Sequence, residues 1–342
     1  MNTRRNFIKK LTTLGLLSSM PTLLFPKKDF ILSQQKNSEE KIWAVLLHLS
    51  HNMWDKRDTE LDLSESLWND SLVRMVGAGA NMVVIDLGDA VKYETHPEIA
   101  IINAWSKERL RDELKKIRKM GLEPIPKMNF SACHDLWLGP YSRMLSTKEY
   151  YTVCSDLIGE VMELFDTPRF FHLGMDEENV ANQKKSDIMI VRQRDLWWGD
   201  LYFLFGEVVK RGSRPWVWSD YARAEPEYFG RMMPKSVIQS NWYNGANFDP
   251  KTNKEVNGYL NLEALGYDQI PGGSNFYTGM EKNIMNNVKF CTQNVSDNRL
   301  MGFIQSPWHK TTEEFREPIL KSIEQLGDAK SWFGKNRKEP GN

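Results

Sequence analysis

The densest chemistry in the chain lies in one short run, Phe171-His172-Leu173-Gly174-Met175-Asp176-Glu177-Glu178-Asn179. Side chains alternate along a strand, so His172, Gly174 and Asp176 share a face. Adjacent acids at the end of a strand bring two carboxyl groups within reach of one bound molecule. Cleavage of a glycosidic bond needs such a pair: one acid protonates the departing oxygen, and a second group stabilises positive charge at the anomeric carbon. An acid set among Trp rings and beside another acid holds its proton more firmly, through desolvation and like charge together. Glu177 is therefore the candidate proton donor and Asp176 the candidate partner. The competing structural role for such a triplet is at a helix N-terminus, where acids complement the backbone dipole.

These acids need elements that converge on them. Eight strand-like runs occur, at 41–50, 81–89, 121–129, 169–176, 214–220, 236–242, 267–271 and 301–308. Several are continuously apolar, as expected of parallel strands covered on both faces. Helical patterns lie between them. Residues 106–120 place Leu110, Leu114 and Ile117 on one stripe, with Gly121 closing the helix. Residues 147–165 and 195–211 read similarly. This alternation predicts an α/β fold, a (β/α)8 TIM barrel over residues 39–342. A doubly wound sheet is the other arrangement, but no Gly-rich phosphate loop follows the first run.

Barrels of this kind carry their active site at the carboxyl ends of the strands. The residues expected there are polar, acidic or aromatic at nearly every strand. They include His48, His51 and Asn52 after the first, Asp86 and Asp89 after the second, and Lys127, Asn129 and His134 after the third. Trp218 and Asp220 follow the fifth, Trp242 the sixth, Tyr277 the seventh, and Trp308 with His309 the eighth. A concave site walled by aromatic rings and holding a few acids suits a sugar. His134, Trp218, Asp220, Trp242, Tyr277 and Trp308 are the candidate substrate-binding residues. Each also has a plainer role open to it: Tyr277 capping a loop, Trp242 and Trp308 as barrel-end core, His134 on a surface loop, Asp220 as a helix N-cap.

Composition narrows the classes. Among 342 residues, 45 basic side chains balance 45 acidic ones, which argues against a nucleic-acid partner drawn by bulk charge. Cys133, Cys154 and Cys291 are an odd number, and their spacings match no zinc pattern. No cofactor motif is present, and no cofactor is expected. Thr3-Arg4-Arg5-Asn6-Phe7-Ile8-Lys9-Lys10 has a twin-arginine signal pattern, followed by an apolar run from Leu14 to Phe25. That run is too short to span a bilayer in a mature protein. An ordinary secretory leader is the alternative, and either one predicts export, to the periplasm in the twin-arginine case. Residues 1–38 are accordingly set apart as leader and linker.

The run from Phe171 to Glu177 resembles the His-x-Gly-Gly-Asp-Glu signature of glycoside hydrolase family 20, the β-N-acetylhexosaminidases. Upstream, Gly121-Leu122-Glu123-Pro124-Ile125-Pro126-Lys127-Met128-Asn129 and then His134 are similar to that family's Gly-Ile-x-x-Ile-Pro-Glu-x-Asp segment and its Pro-Gly-His. The likeness covers roughly residues 41 to 310 and is strongest from about 106 to 180. It implies a retaining mechanism in which the substrate's own 2-acetamido oxygen attacks the anomeric carbon. Glu177 would be the general acid/base and Asp176 would orient the acetamide nitrogen. Tyr277 would hydrogen-bond the acetamide oxygen, Trp218, Trp242 and Trp308 would wall the pocket, and His134 would support the acids.

This sequence departs from the family pattern in several places. The Arg usual just after the first strand is missing from the segment His48-Leu49-Ser50-His51-Asn52 that stands there. Lys127 and Asn129 replace two acids, Met175 replaces the second signature Gly, and His309 follows Trp308 where a Glu is usual. These changes bear on which sugar is gripped rather than on the acid that cleaves. Three other readings stay open on the residues alone. One is a sugar-cleaving enzyme that pairs Glu177 with a carboxylate nucleophile, Asp220 or Asp86. Another is a carbohydrate-binding barrel without turnover. The last is a metal-dependent sugar enzyme using His48, His51, Asp86 and Glu177.

Overall fold

The computed structural model of the chain describes residues 40–54 and 56–336. The expected leader and linker, 1–38, lie outside them. The strands are β1 (Ile42–His48), β2 (Met82–Asp86), β3 (Glu123–Lys127), β4 (Phe170–His172), β5 (Arg214–Trp218), β6 (Ile238–Ser240), β7 (Gly272–Gly273) and β8 (Gly302–Gln305). All pair in parallel in the order β6-β5-β4-β3-β2-β1-β8-β7. Isolated bridges Gln239–Gln269 and Trp242–Gly272 join the two outer strands, so the sheet closes on itself as a (β/α)8 barrel. Among the described residues no helix is long and apolar enough to cross a membrane.

Helices α1 (Glu65–Gly77), α2 (Lys107–Lys119), α3 (Lys148–Leu164), α4 (Arg194–Val209), α5 (Asp220–Ala224), α6 (Pro226–Met232), α7 (Lys254–Ala264), α8 (Asn283–Asn294) and α9 (Arg316–Asn336) surround it. Four of them start on a side chain that accepts a hydrogen bond from a first-turn N–H: Ser64, Ser106, Thr147 and Asn253. In α2, Leu110, Leu114 and Ile117 are buried, which is the stripe the sequence pattern predicts.

Strand alternation divides the core in two. Trp43, Val45 and Leu47 of β1 pack outward on the helices, while Ile42, Ala44 and Leu46 fill the barrel with Val84, Ile125, Trp216 and Ile304. One layer further toward the carboxyl ends the interior turns polar. His48, Asp86, Lys127 and His172 are successive register partners across β1, β2, β3 and β4. Lys127 is fully buried there and ion-pairs with Asp86, which also lies 3.3 Å from His48.

Two elements differ from the sequence reading. The fourth run was expected to stay extended to residue 176, but its ladder ends at His172. Gly174, Met175 and Glu177 have φ of 71°, 73° and 57°, and this left-handed backbone turns the chain out of the sheet. The seventh strand was expected at 267–271, whereas the ladder forms at Gly272–Gly273. Pro271 has no N–H to give to a ladder, so regular pairing begins after it. Gln269 contributes only isolated bridges.

Candidate functional site

The turn after β4 aims the acids. Gly174 has a left-handed φ of 71°, and a Cβ at this residue would overlap the Asn129 side chain and lie 2.8 Å from the Asn129 Cα. Glycine is required on both counts. Asn129, two residues beyond β3, is the clamp for this turn. Its Oδ1 accepts from the backbone N–H of Met175 and of Ser131, both at 3.1 Å. Its Nδ2 donates to Asp176 Oδ1 at 2.7 Å. Thus Asn129, which stands where the resembled signature has an acid after β3, is the residue that orients Asp176.

Asp176 is buried, while Glu177 beside it keeps 31% of its side chain exposed. His134 reaches both: its Nε2 lies 3.4 Å from Asp176 Oδ2 and 3.3 Å from Glu177 Oε2. Burial pushes the Asp176 carboxyl up, but His134, Lys127 and the Asn129 amide outweigh it and hold the group below the usual carboxylate range. Burial likewise pulls His134 down, but the Asp176 charge prevails and raises the imidazole well above its ordinary value. The two shifts agree on an ion pair, imidazolium against carboxylate, with Glu177 in contact with the imidazole.

The carboxyl that burial raises in this site is Asp220. Desolvation drives it up to about 6, opposed by Arg223, and the charges of Asp176 and Glu177 add to the rise. Asp220 opens α5 rather than capping it, since Ser219 holds the N-cap position. Its Oδ2 accepts from the Trp242 indole N–H at 2.9 Å, and Arg223 stacks over the same indole at 4.4 Å. Trp218 is buried and packs 4.6 Å from His172 and 5.6 Å from Trp308. Its indole nitrogen is buried with no hydrogen-bond partner. Trp308 has φ of 57°, another left-handed residue at the rim. Tyr277 is 58% exposed and touches Phe276; none of its described contacts reaches the acids.

Several contributors escape a reading of the sequence. Trp54, from the loop after β1, packs edge-on 5.9 Å from His134. Glu178 turns inward, accepts from the Ala132 N–H at 3.0 Å and ion-pairs with Arg192, whose Nη1 reaches Asp200 at 2.9 Å. This buried trio ties the loops after β3 and β4 to α4. Asp86 is spoken for by Lys127 inside the barrel, so it is not presented at the mouth as a nucleophile. His48 and His51 do pack together, at 4.8 Å, but Glu177 is not with them. Among the described residues the set able to hold a cation is instead Cys133, His134 and Glu177.

A cleft of about 700 Å³ opens at the opposite, amino-terminal end of the strands, lined by Arg118, Glu123, Asp166 and Arg169. Its charges are already matched, Arg118 with Asp166 at 2.9 Å and Arg169 with Glu123. That end of a barrel serves stability, so the chemistry belongs with the acids at the other end.

No protein-family profile matches the chain, and no curated protein matches it in sequence. Solved structures do match. The family 20 exo-β-N-acetylglucosaminidase of Vibrio harveyi, in complex with N-acetylglucosamine, superposes at TM-score 0.59 with 13% identity, over 86% of this chain and 57% of that one. The β-N-acetylhexosaminidase of Bacteroides fragilis gives 0.59 and 14%, over 86% and 71%. The chain shares their barrel fold. Dispersin B gives 0.55 and 13%, over 85% of this chain and 99% of that one. The chain thus spans little more than half of the Vibrio enzyme but the length of dispersin B.

Proposed function

We propose that this barrel is a divergent member of glycoside hydrolase family 20, a retaining glycosidase acting on a 2-acetamido sugar. The observation that carries the reading is the placement of Asp176 and Glu177 side by side in the turn after β4, with His134 contacting both. The bound N-acetylglucosamine in the Vibrio harveyi enzyme supports the sugar class. Glu177, open to the mouth, gives its proton to the departing glycosidic oxygen. As the bond from the anomeric carbon to that oxygen breaks, the acetamide oxygen forms a bond to the same carbon. Asp176, held charged by His134 and Asn129, faces the acetamide nitrogen and balances the positive charge of the oxazolinium. Glu177, now a carboxylate, takes a proton from the water that reopens the ring. Trp218, Trp242 and Trp308 enclose the sugar, and Tyr277 closes over the acetamide oxygen from the loop after β7. The Arg4-Arg5 pattern supports export to the periplasm.

A second reading has one observation in its favour. Asp220 senses the charges of both acids and is raised to about 6, as a group sharing their pocket would be. In that reading Asp220 is the nucleophile and no acetamide is needed.

The test is hydrolysis of aryl β-glycosides with and without a 2-acetamido group, by the wild type and Glu177→Gln. Turnover confined to acetamido sugars, and lowered about 10²- to 10⁴-fold in the variant, is expected for loss of a general acid. Turnover of sugars lacking the acetamide would remove substrate assistance and favour Asp220. Turnover unchanged by Glu177→Gln would remove Glu177 from its role.

A further inference from the structure

Cys133 sits where the family pattern has a glycine, and nothing in the proposed hydrolysis uses its thiol. It is buried, and its Sγ points at the Asp176 carbonyl oxygen at 3.7 Å. One donor atom each from Cys133, His134 and Glu177 lie within 4.8 Å of one another. His134 is 98% buried in this cluster, and neither ring nitrogen makes a hydrogen bond of full geometry, although Nε2 lies 3.4 Å from Asp176 and 3.3 Å from Glu177. A buried imidazole held loosely between a thiol and two carboxylates, with no partner in full hydrogen-bond geometry, is a donor set able to take a cation.

We propose that Cys133, His134 and Glu177 form a binding site for a zinc-class divalent cation. The donor chemistry selects the ion. Thiolate, imidazole and carboxylate together suit a borderline-soft cation, whereas magnesium and calcium call for oxygen donors throughout. Zinc bonds of about 2.0 to 2.3 Å in a tetrahedron put donor atoms about 3.5 Å apart, so small side-chain rotations close the present spacing. Three protein ligands leave a fourth position open, and the exposed edge of Glu177 gives that position a path to solvent. With the cation on His134 Nδ1, Asp176, 3.4 Å from Nε2, is placed as the carboxylate that braces the metal-bound ring. On binding, the Cys133 thiol proton and one proton of the His134 imidazolium leave to solvent, and the freed sulfur and nitrogen pairs are given to the cation. A Glu177 oxygen held by a cation cannot carry a proton, so occupancy would silence the acid reversibly. That consequence rests on the glycosidase reading, whereas the binding itself does not.

The experiment titrates the metal-stripped full chain with Cd²⁺ and Co²⁺ and follows the thiolate-to-metal charge-transfer absorption. This readout needs no turnover, so a failed glycosidase reading leaves it intact. One equivalent per chain is expected to give the band. Cys133→Ser should lose it and Cys154→Ser should keep it. Glu177→Gln should bind at least about tenfold more weakly, since even losing an outer partner of a metal site costs that much. Absence of the band in the wild type, or its persistence in Cys133→Ser, overturns the proposal. If Cys133→Ser does not fold, Glu177→Gln decides: its side chain reaches the surface, and unchanged cation affinity there also overturns it.

Discussion

Replacing Gly174 with Ala should destabilise the protein and loosen its acids together. The residue has φ of 71°, and an L side chain in the left-handed region costs about 1 to 2 kcal/mol. The new methyl would also meet Asn129 at both its amide and its Cα, the latter at 2.8 Å. Rotating the Asn129 side chain therefore cannot relieve the contact; the β3 end or the turn has to move. Such a movement breaks the Asn129 bond to Asp176, and a hydrogen bond to a charged group is worth about 1.5 to 3 kcal/mol. The combined loss is about 2.5 to 5 kcal/mol. Urea unfolding of the wild type and Gly174→Ala, with matched m-values, measures it. A loss below about 1 kcal/mol would show that the turn is not held as described, and would refute the assignment of Asn129 as its clamp.

Other predictions follow from the buried charges. Lys127→Met removes the cation beside Asp86 and leaves its charge buried with only His48 next to it, and should cost about 3 to 5 kcal/mol. Asp86 is lowered to about 2, with burial opposing and Lys127 and His48 prevailing, so its contribution is complete above the unfolded value of about 4 and fades as pH falls toward 2. The gap between wild type and variant should narrow over that window, and a gap that widens would contradict the pairing. Asp220 has the opposite sign. Its folded value of about 6 exceeds the unfolded one, so its ionisation penalises folding above that pH and not below about 4. Asp220→Asn should match the wild type near pH 4 and gain stability, on the order of 1 to 3 kcal/mol, by pH 8; thermal melts showing a loss at pH 8 would count against a desolvated Asp220.

Much of the architecture is legible in the sequence because parallel strands leave continuous apolar runs. Residues 81–89 and 214–220 contain β2 and β5 for that reason. The same signal overran β4, because nothing in apolar content announces that Gly174, Met175 and Glu177 take positive φ. It misplaced β7, where a proline and two glycines carry no periodicity. The acids were legible as a pair, since adjacency at a strand end is a sequence property. Their supports were not. Asn129 and Lys127 looked like losses relative to the family's acids, yet one clamps Asp176 and the other neutralises Asp86. Cysteine spacing along the chain gave no hint of a cation site, because the third ligand, Glu177, lies 44 positions away and is brought in by the β3–β4 register. A carboxyl held above its ordinary pKa was expected beside the Trp rings, and burial raises one at Asp220 against the opposing Arg223 charge and Trp242 hydrogen bond, a balance that sequence neighbours do not reveal.

The central claim is that Asp176 and Glu177 act around a substrate's own acetamide. Calorimetric binding of a thiazoline mimic of the oxazolinium, to the wild type and Asp176→Asn, tests it most directly. Transition-state-like ligands bind at least about 10²-fold tighter than substrates, so the mimic should bind that much more tightly than the parent sugar and lose most of the gain in Asp176→Asn. No preference for the thiazoline over the parent sugar, or covalent trapping of a carboxylate by a 2-fluoro sugar, would contradict the account.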